Sequence, residues 1–249
     1  KGSISVAGTT DLCGSEQILR QSVPTLAASS LPSTLLSSGT KTLYKWTVSA
    51  DAIGNIGWKA LMFHFSGSIH TDATTVRTIG TDDTTTIKTD GVYMIVATDG
   101  AADTKLIDES SMKVYNSATN TQVAGAWHFR TDTDANGGTY AVFVATNEEV
   151  IAYGTTNTYE LRGDLAYGGY TGDAVLVRVP DLASSVATTT YALAFGTANA
   201  ADSVASGAAV TKSFAWSDRS AASHAETSSD WSDDYKVPSF PLSTLTLSK

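Results

Sequence analysis

Charge, cysteine and continuous apolar sequence are all scarce in this chain of 249 residues. Charged residues make up 16% of it, well under the roughly 25% of ordinary soluble domains. The 16 basic residues are outnumbered by 25 acidic ones and are scattered, so no cationic stripe exists to track a phosphate backbone or to hold an anionic membrane. Every apolar window is broken by Gly, Thr or a charge well before the roughly 18 residues of a transmembrane helix. An N-terminal apolar helix of the type IV pilin kind is missing too. The one cysteine, Cys13, cannot close an internal disulfide, so stability must come from packing. No Asn-x-Ser/Thr sequon occurs, which leaves Ser and Thr for any glycan. Helical periodicity is almost absent.

What the chain has in abundance is alternation. In TLYKWTVSA, Tyr44, Trp46 and Val48 share one side of a strand while Lys45, Thr47 and Ser49 take the other. GVYMIVAT, QVAGAWHF, TYAVFVAT, TYELRGD and AVLVRV repeat the pattern, separated by Ser, Thr, Gly, Asn and Asp. Hydroxyl residues solvate an outer face while keeping β propensity. The expected fold is all-β, a sandwich of jelly-roll or Ig-like kind with at most short helices.

The spacing predicts a hairpin from TLYKWTVSA through a turn at 51–55 into IGWKALMFHFSGSI. That second strand is apolar on both faces, with Trp58, Ala60 and Met62 on one and Leu61, Phe63 and Phe65 on the other, and therefore central. A helical turn is expected before a strand at Met112 to Asn116. The clearest hairpin joins TQVAGAWHFRTD to TYAVFVAT through Asn136-Gly137. Pro238 and Pro241 confine the last extended segment to an edge or a strand start. Residues 1–30 read as an N-terminal strand and connector, with SEQILRQS as a short helix, and residues 31–249 as one sandwich domain. The chain starts at Lys1 rather than Met, and a removed export leader is the simpler expectation.

Few residues carry candidate chemistry. Asp132-x-Asp134-x-Asn136-Gly137 copies the first half of a calcium loop, but Phe143 stands where a bidentate Glu belongs. The same residues make a plain hairpin turn. No cofactor is expected, with calcium at Asp132, Asp134 and Asn136 as the alternative. Asp230, Asp233 and Asp234 read as a solvated acidic loop. His64 and His70 share a strand about 20 Å apart and cannot share a metal. Glu109, Glu148, Glu149 and Glu160 are the acids from which a glycosidase pair would be drawn. The nucleophile-elbow, Walker and His-Glu-x-x-His patterns do not occur, and no enzyme is expected. Trp46, Trp58 and Trp216 fall in strands and read as core. Tyr167, Tyr170 and Trp231 fall in polar loops and read as contacts for a ligand or a neighbouring subunit.

Leu43, Tyr44, Lys45, Ala50, Asp51, Phe214, Trp216, Ser217, Asp218, Asp230, Trp231, Tyr235 and Val237 resemble the conserved positions of β-sandwich modules in large surface (S-layer or adhesin-like) proteins of uncultured bacterial lineages. The resemblance covers most of residues 30–249 and implies surface display and a structural role. Ahead of it, GSISVAG sets Ile4 and Val6 on one face of an isolated strand. Such a strand can complete the sheet of the next copy, Ile4 and Val6 filling alternate pockets; the other reading pairs it within its own sheet. The expectation is thus an extracellular structural protein at the cell surface, polymerising with copies of itself by strand addition. The alternative is a carbohydrate-binding or adhesive module of a larger surface protein, with surface glycans as partner.

Overall fold

The structure is a computed structural model, which describes residues 19–70, 72–79, 88–89, 92–98, 103–130, 138–166, 169–182, 203–204, 212–235 and 237–249. Its strands in chain order are β1 (Thr25–Ala28), β2 (Gly39–Ser49), β3 (Ile56–His70), β4 (Val76–Ile79), β5 (Lys88–Thr89), β6 (Val92–Thr98), β7 (Asp103–Asp108), β8 (Lys113–Asn116) and β9 (Thr121–Val123). They continue as β10 (Gly125–Arg130), β11 (Thr139–Ile151), β12 (Thr156–Leu165), β13 (Ala174–Arg178), β14 (Ser203–Val204), β15 (Phe214–Ser217), β16 (Trp231–Ser232) and β17 (Leu245–Ser248). Among the described residues the only helix is a 3₁₀ turn at Glu109–Ser111, just ahead of β8 as the sequence predicts.

Two antiparallel layers make an all-β sandwich. One runs β1–β2–β12–β8–β9. The other is centred on β3, with β11 and then β10 on one edge, and β15 and β13 sharing the opposite edge. β16 and β17 extend that side, so residues 212–235 and 237–249 belong to the same sandwich. The pairings β3–β4, β4–β6, β6–β7 and β7–β12 join the layers. Among the described residues, a short contact of β10 with β14 and the single bridge Leu35↔Ser248 are parallel.

The hairpin predicted from β2 into β3 does not form. β2 pairs with β1 and β12, and β3 with β4, β11, β13 and β15, so the turn at 51–55 crosses between layers instead. The reason lies in the side chains: the aromatic stripe of β2 gains more by facing β3 than by lying beside it. Trp46 meets Trp58 at 6.3 Å and Phe63 at 5.3 Å, and Tyr44 meets Phe63 at 5.8 Å. Tyr159 of β12 stacks on Trp46 at 5.6 Å and meets Trp58 edge-on at 5.1 Å. These offset and edge geometries suit the ring quadrupoles.

The predicted faces of β3 also need correction. Trp58 does not share a face with Ala60 and Met62; it joins Leu61, Phe63 and Phe65 in the main core, while Ala60 and Met62 pack with Tyr140, Val142 and Ala215 behind the sheet. Lys59 is the cause. Opposite it the register steps from Ala215↔Ala60 to Trp216↔Trp58, leaving one extra residue in β3. Such a bulge reverses the alternation of everything beyond it.

Residues read as connector also enter the fold. Thr25–Ala28 is an edge strand on β2, and Leu19–Ser22 are not helical; residues 15–18 lie outside those described. Leu26 is the reason for the strand, since its side chain is buried in the core. The last segment behaves as its prolines predict, with β17 starting after Pro241 and pairing with β13.

The sandwich has two ends. At the entry end, Arg20–Val23 approach the β2–β3 loop through Ser22 Oγ donating to Asp51 (3.1 Å), and that loop is joined to the β11–β12 turn by Gly154 N donating to Asp51 O (2.7 Å). At the exit end, β3 finishes at His70 beside Asp173, whose carbonyl accepts from Lys249 N (3.0 Å).

Candidate functional site

The densest group of polar side chains lies at the entry end, where residues 217–232 fold back over β3 and β11. Asp230 is its hub. Ser217 Oγ donates to Asp230 Oδ2 (2.9 Å), His224 Nδ1 lies 2.7 Å from the same oxygen, and Ser228 Oγ donates to Oδ1. The other ring nitrogen of His224 lies 2.8 Å from Glu148 Oε2, and Arg219 forms an ion pair with that carboxylate. An imidazolium can donate to both carboxylates at once, whereas a neutral ring can donate to one. Burial alone would raise Asp230, but hydrogen bonds from Ser228, His224, Ser217 and Ala221 outweigh it and hold the carboxyl below its ordinary value.

Local backbone features put these groups together. In β11 the register against β3 jumps between Val144↔Ala60 and Glu149↔Trp58, and the bulged residues include Glu148. Gly57 completes the seat: a Cβ there would lie 1.6 Å from Glu148 Oε1, so glycine alone leaves room for this carboxylate. Lys59, the bulged residue of β3, is 4% exposed; its Nζ donates to Thr146 O (3.1 Å) and pairs with Glu226.

The same segment grips the incoming chain. Arg20 donates to Trp231 O (3.0 Å), Ser232 Oγ (2.7 Å) and Ser229 O (3.3 Å), lies 3.9 Å from Asp218 and sits over the Trp216 ring. Gln21 N donates to Asp218 Oδ2 (2.7 Å). Behind the cluster, Asp234 accepts from Ser213 N (2.9 Å) and Leu182 N (3.2 Å), and burial raises its carboxyl above the ordinary range.

Chemically the arrangement is a network of paired charges and hydroxyls. Both His224 nitrogens face carboxylates, and the Ser217 and Ser228 hydroxyls donate to Asp230. The other candidate acids are engaged elsewhere. Glu160, on the outer side of β12, pairs with Lys45 (2.9 Å) and Arg162 (2.8 Å). Glu149 accepts from Tyr159 OH (3.2 Å) and is raised by burial.

The residues singled out in the sequence fall in different places. Ile4, Val6, Asp132, Asp134, Asn136 and Tyr167 lie outside the described residues, as does the side chain of Glu109. Tyr170 is 41% exposed at the exit end, its ring 5.6 Å from that of His70, and its N–H donates to Asp173 (2.9 Å). Trp231 does not lie on the surface. At 1% exposed it is covered by the chain itself, with Nε1 donating to Ala225 O (2.9 Å) and its ring 5.5 Å from His224. Asp230, Asp233 and Asp234 are likewise buried rather than solvated: Asp230 is met by Ser217, His224 and Ser228, Asp233 by Tyr235 N and Lys212, and Asp234 by Leu182 N and Ser213 N. Among the described residues no group of three potential metal ligands converges.

The pairing of His224 with Glu148 and Asp230, of Arg219 with Glu148 and of Arg20 with Asp218 was not legible in the sequence. Glu148 and His224 stand 76 residues apart, and no local spacing connects them. The one signal was Phe-x-Trp-Ser-Asp, whose Ser217 and Asp218 do enter the cluster. Comparison with protein-family models, with curated proteins and with solved structures finds no match to this chain.

Proposed function

We propose that the chain is an extracellular structural protein, a self-assembling subunit of a surface filament or layer, joined to its neighbours by strand addition. The observation that carries this reading is the anchoring of Arg20 to Ser22. Five hydrogen bonds and an ion pair tie these three residues to Asp51, Asp218 and residues 229–232. Immediately before them Leu19 is 95% exposed. The alternating segment with Ile4 and Val6 therefore starts from a fixed root on the domain surface. From Leu19 back to Val6 the chain reaches at most about 45 Å, enough to lie along an adjacent sandwich. A donated strand gains main-chain hydrogen bonds at its acceptor, and a head-to-tail contact of this kind need not close.

Electron microscopy of the purified full chain tests it. Filaments or sheets are expected, and removal of residues 1–10 should leave single sandwiches. Assemblies that survive this truncation unchanged would end the strand-addition reading.

A second reading, a glycan-binding or adhesive module, is favoured by Tyr170, an exposed ring beside His70 and Asp173. Aromatic faces in loops suit sugar stacking. Glycan-array binding lost in Tyr170→Ala, by a protein that stays monomeric, would select this reading over the first.

A further inference from the structure

Eight large hydrophobic residues are exposed among those described, and none of them lies on the flanks of the sandwich. Ile53 (74%) and Tyr153 (66%) stand on the two adjacent entry-end turns, which are joined by Tyr153 N donating to Asn55 Oδ1 (2.9 Å). Val23 is beside them through its N–H and Asp51 (3.4 Å), Val150 is opposite Gly57 at the start of β3, and Leu19 precedes the anchored Arg20. The remaining three mark the exit end. Val76 pairs with His70, Tyr170 packs its ring near His70, and Leu35 bridges Ser248 at the end of β17. Single exposed apolar side chains are ordinary; their confinement to two opposite ends is not explained by the core, which they do not enter.

We infer that the entry end of one copy docks on the exit end of the next, so that the sandwiches stack along their strands. This deepens the self-assembly reading and rests on it. The occupant is a second copy because both halves of the contact are present on one chain, at opposite poles. The root of the N-terminal segment points the same way: the chain before Leu19 leaves at the entry end, where the stacked neighbour would lie. Such a contact is heterologous and propagates without closing. β3, fifteen residues long, runs from one end to the other, which sets an axial repeat of about 50 Å.

Two double variants of the full chain test the inference, Ile53→Asp with Tyr153→Asp at the entry end and Val76→Asp with Tyr170→Asp at the exit end. The four side chains are exposed, and unchanged circular dichroism and melting confirm that the fold is kept. Each variant alone is expected to sediment as a monomer, while an equimolar mixture gives a one-to-one dimer that grows no further, because one intact end remains on each partner. Micrographs of the unaltered protein should show a repeat near 50 Å. If both variants still polymerise while removal of residues 1–10 abolishes assembly, end-to-end docking is wrong and strand addition stands. A dimer formed by one variant alone would make the contact self-complementary and overturn the inference, as would a repeat far shorter than β3. If the unaltered protein stays monomeric, both readings fail together.

Discussion

Trp46 of β2 and Trp58 of β3 meet edge-on at 6.3 Å across the interior, although the strands that carry them share no ladder. With Tyr159 and Phe63 they form the aromatic centre on which both layers close, all four fully buried. Truncating Trp58 to Ala removes a ring at the point of contact between layers. The loss is expected to be about 3–5 kcal/mol, read from urea unfolding, and a change under about 1 kcal/mol would show that Trp58 is not seated there.

Gly57→Ala tests the seat of Glu148. The new methyl group meets only Glu148 among its three nearest atoms, so the carboxylate must leave Arg219 and His224. Losing the charged hydrogen bonds of this part-buried pair costs about 1.5–3 kcal/mol. The double variant Gly57→Ala with Glu148→Ala should be no less stable than Glu148→Ala alone. Full additivity in that cycle would mean the two positions do not touch.

His224→Ala leaves Glu148 and Asp230 without the ring that bridges them. Glu148 keeps Arg219, and Asp230 keeps Ser217 and Ser228, so the loss is that of the charged hydrogen bonds of the ring, and about 1.5–3 kcal/mol is expected. His224→Gln, which can still donate to one carboxylate, should recover part of it. Salt is the control: raising ionic strength should change little, since burial limits screening. A His224→Ala protein as stable as the parent would remove the cluster's structural role.

Glu160 makes the stability of the fold depend on pH. Burial would raise its carboxyl, but Lys45, Arg162 and Ser117 outweigh that and hold it at about 2, against an ordinary 4.5. The folded state therefore favours the ionised form, and the stabilisation is complete above pH 4.5 and fades as pH falls from there towards 2. Its size is roughly 3 kcal/mol. Glu160→Gln should be less stable than the parent at pH 7, with the gap narrowing by pH 3. Equal gaps at both pH values would refute the assignment. Asp234, raised by burial, acts in the opposite sense, favouring the fold at low pH and less so as pH rises.

The elements of this fold were legible because alternation is local. Tyr44, Trp46 and Val48 share a buried face as their spacing requires, and the β10–β11 pairing runs through Trp127↔Phe143 as its hairpin pattern implies. What misled was the assumption that alternation persists. Lys59 looks like any polar residue in an apolar strand, and only the mismatch with Phe214–Ser217 shows that it is an inserted position. Trp231 misled for a related reason. Its flanking Ser and Asp residues mimic a solvated loop, yet they are the donors and acceptors that let the segment be buried.

Composition and period-two patterning by themselves determined that this chain is all-β, which strands are apolar, and where prolines confine the last one, because each depends on neighbours a few residues away. The layer to which each strand belongs, the crossing of the 51–55 turn, the union of Glu148 with His224 and Asp230, and, among the described residues, the place of the exposed apolar side chains at two ends were decided by the tertiary structure alone. Those depend on which residues distant in sequence share a ladder or face one another across the core, and no local pattern records such partners.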